Sequence, residues 1–216
     1  MSKTLRVYFA LSILIAAVFS LFWPLKSYKL LIVAALALVS EYIFDKWWEK
    51  ITGWQFYTYI QKCKLAPYAC IYNIPMWYWA IGLLFWIYKT LRAQGALPPL
   101  HPWLLYAYAA GILLGFLALL THRKGIKWTL IPQITILLGI WLASPALFSF
   151  SLYVGIIAHV LEVLVNIVVK FLTGSFVWIY NGPLTYHKNA TSLLNVISFA
   201  ISTFYFIALG ALFGVF

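Results

Sequence analysis

Four carboxylates serve a chain of 216 residues: Glu41, Asp45, Glu49 and Glu162. Three of them fall in one stretch, "LVSEYIFDKWWEKITG", at the end of an apolar run. Glu41 and Asp45 are four apart and share one helical face, which Trp48 and Thr52 continue. A second polar face runs through Gly155, His159, Glu162, Asn166 and Lys170. A carboxylate placed in hydrocarbon costs several kcal/mol unless it is paired, protonated or hydrated, so acids kept there are expected to be functional. If the two faces meet, Glu41, Asp45, His159, Glu162 and Asn166 form one buried cluster, with Gln133 contributed by a neighbouring segment. Carboxylates crowded in a low dielectric cannot all ionise, and one that keeps its proton can act as a general acid. The same cluster fits a proton relay equally well. Three of the carboxylates also have bland readings: Glu162 pairs with Lys170 or His159, and Asp45 and Glu49 sit at an interface beside Lys46 and Lys50.

The segments that must hold these residues are very apolar. The chain is 65% hydrophobic and 9% charged, with a mean hydropathy of +0.94; a soluble domain carries roughly a quarter charged residues. Seven stretches are long enough to cross about 30 Å of hydrocarbon: Leu5–Trp23, Lys29–Ile51, Met76–Leu91, Pro102–Thr121, Lys127–Ser144, Ser149–Leu172 and Ser192–Phe216. The expected fold is all-α and membrane-embedded. The first stretch reads as a retained span, because its apolar run is long and no small-residue cleavage site follows.

The net charge of +11 reads as topology and not as nucleic-acid binding. With alternating sides, Lys3, Arg6, Lys46, Lys50, Lys62, Lys64, Arg123, Lys124, Lys127, Lys170 and Lys188 share the N-terminal side, against Lys26, Lys29, Lys89 and Arg92 on the other. This bias predicts a multi-pass protein of the cell membrane with its N-terminus cytoplasmic and its C-terminus outside. Cys63 and Cys70 then face the cytoplasm and are expected to be free thiols. The Asn189 sequon falls on the same side and is expected to be unused.

A shift of 121 residues sets the chain against itself. Residues 5–59 match 126–180 at 12 of 55 positions, where apolar composition alone gives roughly a tenth. The matched residues include Pro24 with Pro145, Glu41 with Glu162, Thr52-Gly53 with Thr173-Gly174 and Tyr59 with Tyr180, and Asp45 falls on Asn166. The expected organisation is a three-helix repeat over 1–94, a connector span over 95–125 opened by the linker-like "GALPPLHP", and a second three-helix repeat over 126–216. One connecting span leaves both repeats in the same orientation, related by an axis along the membrane normal.

The run from Asp45 through Gly53, Trp54 and Phe56 to "NIPMWYW" resembles the membrane-embedded lycopene cyclases and bacterioruberin hydratases of carotenoid biosynthesis. The likeness covers the first three spans well and the last three loosely. Pro75-Met76-Trp77-Tyr78 stands where the cyclases carry Pro-x-Glu-Glu. The resemblance implies seven spans in two similar halves and chemistry on an isoprenoid. Protonation of an alkene by Glu41, Asp45 or Glu162, with His159 beside them, would begin it. Aromatic faces stabilise the resulting cation, which makes Trp48, Trp54 and Trp77 candidate substrate contacts along with Asn166 and Gln133. "HRKGIKWTL" partly echoes a motif of small membrane hydrolases and reads as a basic loop; "IPQ" at Ile131–Gln133 is shared with sugar transporters of similar layout.

Three functions stay open at this level: an isoprenoid-lipid enzyme, a small-solute or proton-coupled transporter, and a non-catalytic subunit of a larger membrane complex. The expected partners are a membrane lipid or lipid-like substrate and other membrane proteins or a second copy of the chain, with no nucleic acid. The His-x-x-Glu spacing of His159 and Glu162 is too common to define a metal site. No nucleotide loop, nucleophile elbow, haem or zinc spacing is present, so no metal and no cofactor are expected.

Overall fold

Seven helices carry most of the chain in the computed structural model: α1 (Lys3–Phe22), α2 (Tyr28–Thr52), α3 (Ile74–Ala93), α4 (Trp103–Leu120), α5 (Lys127–Ala143), α6 (Pro145–Thr173) and α7 (Leu194–Leu212). The structure describes residues 1–22, 28–60, 63, 65, 68–100, 103–182, 184–186 and 191–215. The Asn189 sequon and the lysines Lys26, Lys62, Lys64 and Lys188 lie outside them. Every helix end falls within four residues of the apolar stretch that predicts it. The largest difference at a start is in α6, which begins at Pro145 and not Ser149. Pro145 suits the first turn, and the Ser144 side chain caps it by accepting from Leu147 N.

Helices α1, α4, α6 and α7 are long and apolar enough to cross a membrane. α2 and α3 have the length, 25 and 20 residues, but hold more polar side chains. α5 is apolar and shorter, at 17 residues. The helices run alternately up and down. The N-terminus and the segments after α2, α4 and α6 gather at one end: Thr4 Oγ1 donates to Thr173 Oγ1 at 3.3 Å, and Gly125 N donates to Ile51 O at 2.9 Å. At the other end Lys29 Nζ reaches Gly214 O at 3.2 Å. Small residues set the closest approaches. A Cβ on Gly139 would lie 2.2 Å from Ala107 Cβ, and one on Gly155 would lie 2.5 Å from Val196 O, so α4 packs on α5 and α6 on α7 nearly backbone to backbone.

α2 and α6 stop in the same way. Gly53 and Gly174 take φ of +84° and +83° and donate to Glu49 O and Lys170 O. A left-handed residue ends a helix at little cost when it is glycine. Beyond each stop the chain turns back as a short strand, β1 (Tyr57–Tyr59) or β2 (Trp178–Tyr180), followed by β3 (Thr185–Tyr186) and β4 (Thr191–Ser192). β1 and β2 pair antiparallel with Tyr57 opposite Tyr180, Thr58 opposite Ile179 and Tyr59 opposite Trp178. The centre of this register, Thr58 and Ile179, is a pair of residues 179 − 58 = 121 apart. The flanking bonds follow suit: Ile60 N donates to Val177 O and Asn181 N to Phe56 O, each at 3.0 Å.

Cys63 and Cys70 form a disulfide with Cα atoms 5.5 Å apart. This corrects the expectation of free thiols. The segment doubles back from β1 to the 3₁₀ turn Ile71–Asn73, a return that a C-x6-C spacing does not reveal.

Candidate functional site

Two short segments that sequence periodicity does not register build the site. Glu41 lies on α2 three turns before its end and faces the returning β1 strand. Tyr57 and Tyr59 both donate to its Oε1 at 2.6 Å, Trp77 Nε1 donates to Oε2 at 2.9 Å, and Asn73 Nδ2 donates to Oε1 at 3.2 Å. Asn73 is oriented in turn by Tyr8 on α1, whose hydroxyl donates to Asn73 Oδ1 at 2.7 Å, and its amide nitrogen also reaches Tyr59. Burial first, and then the Glu41 carboxylate, pushes the phenols of Tyr57 and Tyr59 well above the ordinary range, so both keep the protons they donate.

Glu162 on α6 is held by a shorter version of the same arrangement. Tyr180 donates to its Oε1 at 2.5 Å, Asn195 Nδ2 donates to its Oε2, and Asn195 also donates to Tyr180 at 2.7 Å. Burial and Glu162 push the Tyr180 phenol up in the same way. Tyr180 is Tyr59 shifted by 121, and Asn195 is Asn73 shifted by 122. The other two donors have no counterpart: the matching positions hold Trp178 and Phe199. Among the described residues Glu41 therefore has four hydrogen-bond donors and Glu162 two.

Both acids line one cavity of about 330 Å³ and both are half-buried because it reaches them. Its walls come from α2, β1, the Ile71–Asn73 turn, α3, α4, α6, β2 and α7, with Phe44, Trp77, Tyr108, Trp178 and Phe199 among the aromatic groups. Glu162 also lines a second cavity of about 110 Å³ between α3, α6 and α7. No charged side chain other than the two glutamates lines either cavity among the described residues.

Asp45, Trp48, Trp54, Gln133, His159 and Asn166 are not among the residues that line the larger cavity. Asp45 is fully buried, and its Oδ1 accepts from Phe56 N at 3.0 Å. Asn166 does the same 121 residues later, accepting from Val177 N at 3.0 Å and donating to Trp178 O at 3.0 Å. These two clamp the strands to the helices. Being four residues from Glu41 places Asp45 one turn nearer the helix end, where the backbone of the next segment crosses. Trp48 and Trp54 pack edge to face at 5.3 Å behind the strands, with Trp48 also on Phe56. Gln133 donates to Thr129 O within α5, and His159 is buried in α6. Trp77 is the tryptophan of the three that lines the cavity and touches an acid. The bland pairing of Glu162 with Lys170 or His159 gives way to Tyr180 and Asn195. Asp45 is buried against the Phe56 backbone and not exposed beside Lys46 or Lys50.

No protein family, characterised protein or solved structure matches the chain. The functional argument therefore rests on the cavity. No group of three or more metal-ligating side chains gathers among the described residues. Sequence reasoning missed Tyr57, Tyr59, Asn73, Tyr180 and Asn195. Tyr59 and Tyr180 carried a signal, since the shift of 121 already matches them. Asn73 and Asn195 are displaced by one further residue, so an ungapped comparison does not align them.

Proposed function

We propose that the chain is a polytopic membrane enzyme that acts by acid catalysis on an isoprenoid lipid, with Glu162 as proton donor and Glu41 as proton acceptor. The observation that carries this reading is that both acids face one apolar, aromatic-lined cavity. The membrane setting is supported by large apolar side chains exposed along the helices, including Leu14, Leu105, Ile112, Ile157 and Leu164. On this reading the chain spans the membrane seven times as two parallel three-helix units joined by α4. The paired bonds 121 residues apart support that arrangement, as does a β1–β2 register centred on equivalent residues, as a two-fold axis requires. The eleven-to-four cation bias favours a cytoplasmic N-terminus.

The two acids divide the work by their donors. Glu41 has four donors among the described residues against two for Glu162, so of the two acids it is the one placed to work as the carboxylate. Glu162, with two, gives its proton to one carbon of a double bond. The π pair forms the new C–H bond and a tertiary cation remains on the neighbouring carbon. Trp77, Trp178 and Phe199, which line the cavity, supply aromatic rings to stabilise the cation. Glu41 then takes a proton from an adjacent carbon and restores a double bond. The net reaction is isomerisation, or cyclisation where a second double bond attacks the cation first. Proton transfer across the shared cavity resets both acids. The resemblance to carotenoid cyclases and hydratases supports the substrate class. The Pro-x-Glu-Glu acids of the cyclases are absent, and here acids from α2 and α6 take that role.

The test is expression in a host that accumulates linear isoprenoids, with lipid extracts compared by mass spectrometry. The wild-type chain is expected to produce a species of altered ring or double-bond pattern. Glu162→Gln and Glu41→Gln are each expected to lower its yield by about 10²-fold or more. An unchanged lipid profile with the wild-type chain would overturn the reading.

A further inference from the structure

The two cavities are counterparts that have diverged. Shifting the α2 residues of the larger one by 121 turns Ala37, Ser40, Glu41 and Phe44 into Ala158, Leu161, Glu162 and Val165, all of which line the smaller one. Shifting its α7 residues Ser198, Ser202 and Tyr205 back by 122 gives Met76, Ala80 and Leu83, which also line the smaller one. One groove thus carries four hydroxyls where the other carries Leu161, Met76, Ala80 and Leu83. The grooves adjoin: Met76, Trp77, Phe199, Phe206 and Glu162 line both.

The hydroxyl protons are already committed. Ser40 donates to Leu36 O at 2.9 Å, so Tyr205, 2.7 Å from Ser40 Oγ, is the donor of that pair. Ser202 donates to Ser198 O at 2.7 Å and Ser198 to Leu194 O at 3.4 Å. Each hydroxyl oxygen has two lone pairs. What the polar groove offers a ligand is therefore acceptors. With no cation among its described lining residues, it offers a phosphate no charged partner there.

We propose that the joined grooves bind a single long-chain isoprenoid alcohol. Its hydroxyl donates to the Ser40–Ser198–Ser202–Tyr205 groove between α2 and α7, its hydrocarbon chain lies in the groove between α3 and α6, and the two acids lie along it. This rests on reading the acid cavity as a lipid-processing site. The binding test is independent of turnover, so failure of one does not imply failure of the other.

The experiment measures binding of geranylgeraniol, squalene and geranylgeranyl diphosphate to purified protein in nanodiscs, followed by tryptophan fluorescence and native mass spectrometry. Geranylgeraniol is expected to bind at least tenfold more tightly than either other probe. Ser202→Ala should weaken geranylgeraniol about three- to tenfold, the loss of one hydrogen bond, and leave squalene unchanged. Ala80→Phe, which fills the apolar groove, should shift preference from geranylgeraniol to the shorter geraniol. Glu162→Gln should end turnover while geranylgeraniol still binds. Tightest binding of squalene or of the diphosphate would overturn the proposal. So would equal effects of Ser202→Ala on alcohol and hydrocarbon, or a chain-length preference unmoved by Ala80→Phe.

Discussion

The smallest unit of this fold is a side chain that reaches from a helix to the strand following it. Asp45 and Asn166 each accept a backbone N–H eleven residues further on, from Phe56 and Val177. Asn166 makes this bond with an amide, so a carboxylate is not required for it. Asp45→Asn is therefore expected to leave the thermal midpoint in detergent nearly unchanged and to keep activity. Asp45→Ala strands a buried N–H and should cost about 1–3 kcal/mol. A large loss of turnover in Asp45→Asn, with the protein folded, would instead return Asp45 to the catalytic role that its spacing from Glu41 first implied. Spacing alone cannot separate the two roles. It fixes a face of the helix, but not what the next segment lays across that face.

At the scale of elements, the helix stops are as informative as the helices. Gly53 and Gly174 both hold left-handed backbone with open space around the missing Cβ, so substitution there meets conformation and not a clash. Gly53→Ala and Gly174→Ala are each expected to destabilise by about 1–2 kcal/mol, measured by denaturation in detergent. The two effects should be similar, because the same turn follows each helix. Helix positions were legible in the sequence because hydropathy is set by what surrounds a helix, and every apolar stretch has a helix over it. The strands were not legible. Three residues such as Tyr57–Tyr59 give no period, and their pairing partner lies 121 residues away. Tyr57, Asn73 and Asn195 were hidden for the same reason, and Tyr59 and Tyr180 showed only as a match of the repeat. Trp48, Trp54 and Trp77 look alike in the sequence, yet Trp77 touches an acid while Trp48 and Trp54 pack on each other.

For the whole molecule, the disulfide and the charge bias pull in opposite directions. Disulfides are rare in a reducing cytosol, yet the proposed topology, drawn from the cation count, assigns that end of the bundle to it. Cys70 is fully buried, and a thiol reductant needs access to attack a disulfide. Cys63 is half-buried, so on the proposed topology the bond persists only where no reductant reaches Cys63. A maleimide reagent is expected to label no cysteine in native membranes and two after denaturation with reductant. Labelling of native protein would show that the bond does not form in the cell.

The two-halves account depends above all on Glu41 and Glu162 facing each other across one space. Cross-linking tests this directly. Glu41→Cys and Glu162→Cys are combined with Cys63→Ser and Cys70→Ser, and a protease site is inserted after Gly95. Membranes are treated with a short bifunctional thiol reagent and then cleaved. The account predicts that the two fragments stay joined on a denaturing gel only when both new cysteines are present. Separate fragments, with each cysteine still reacting singly, would contradict it.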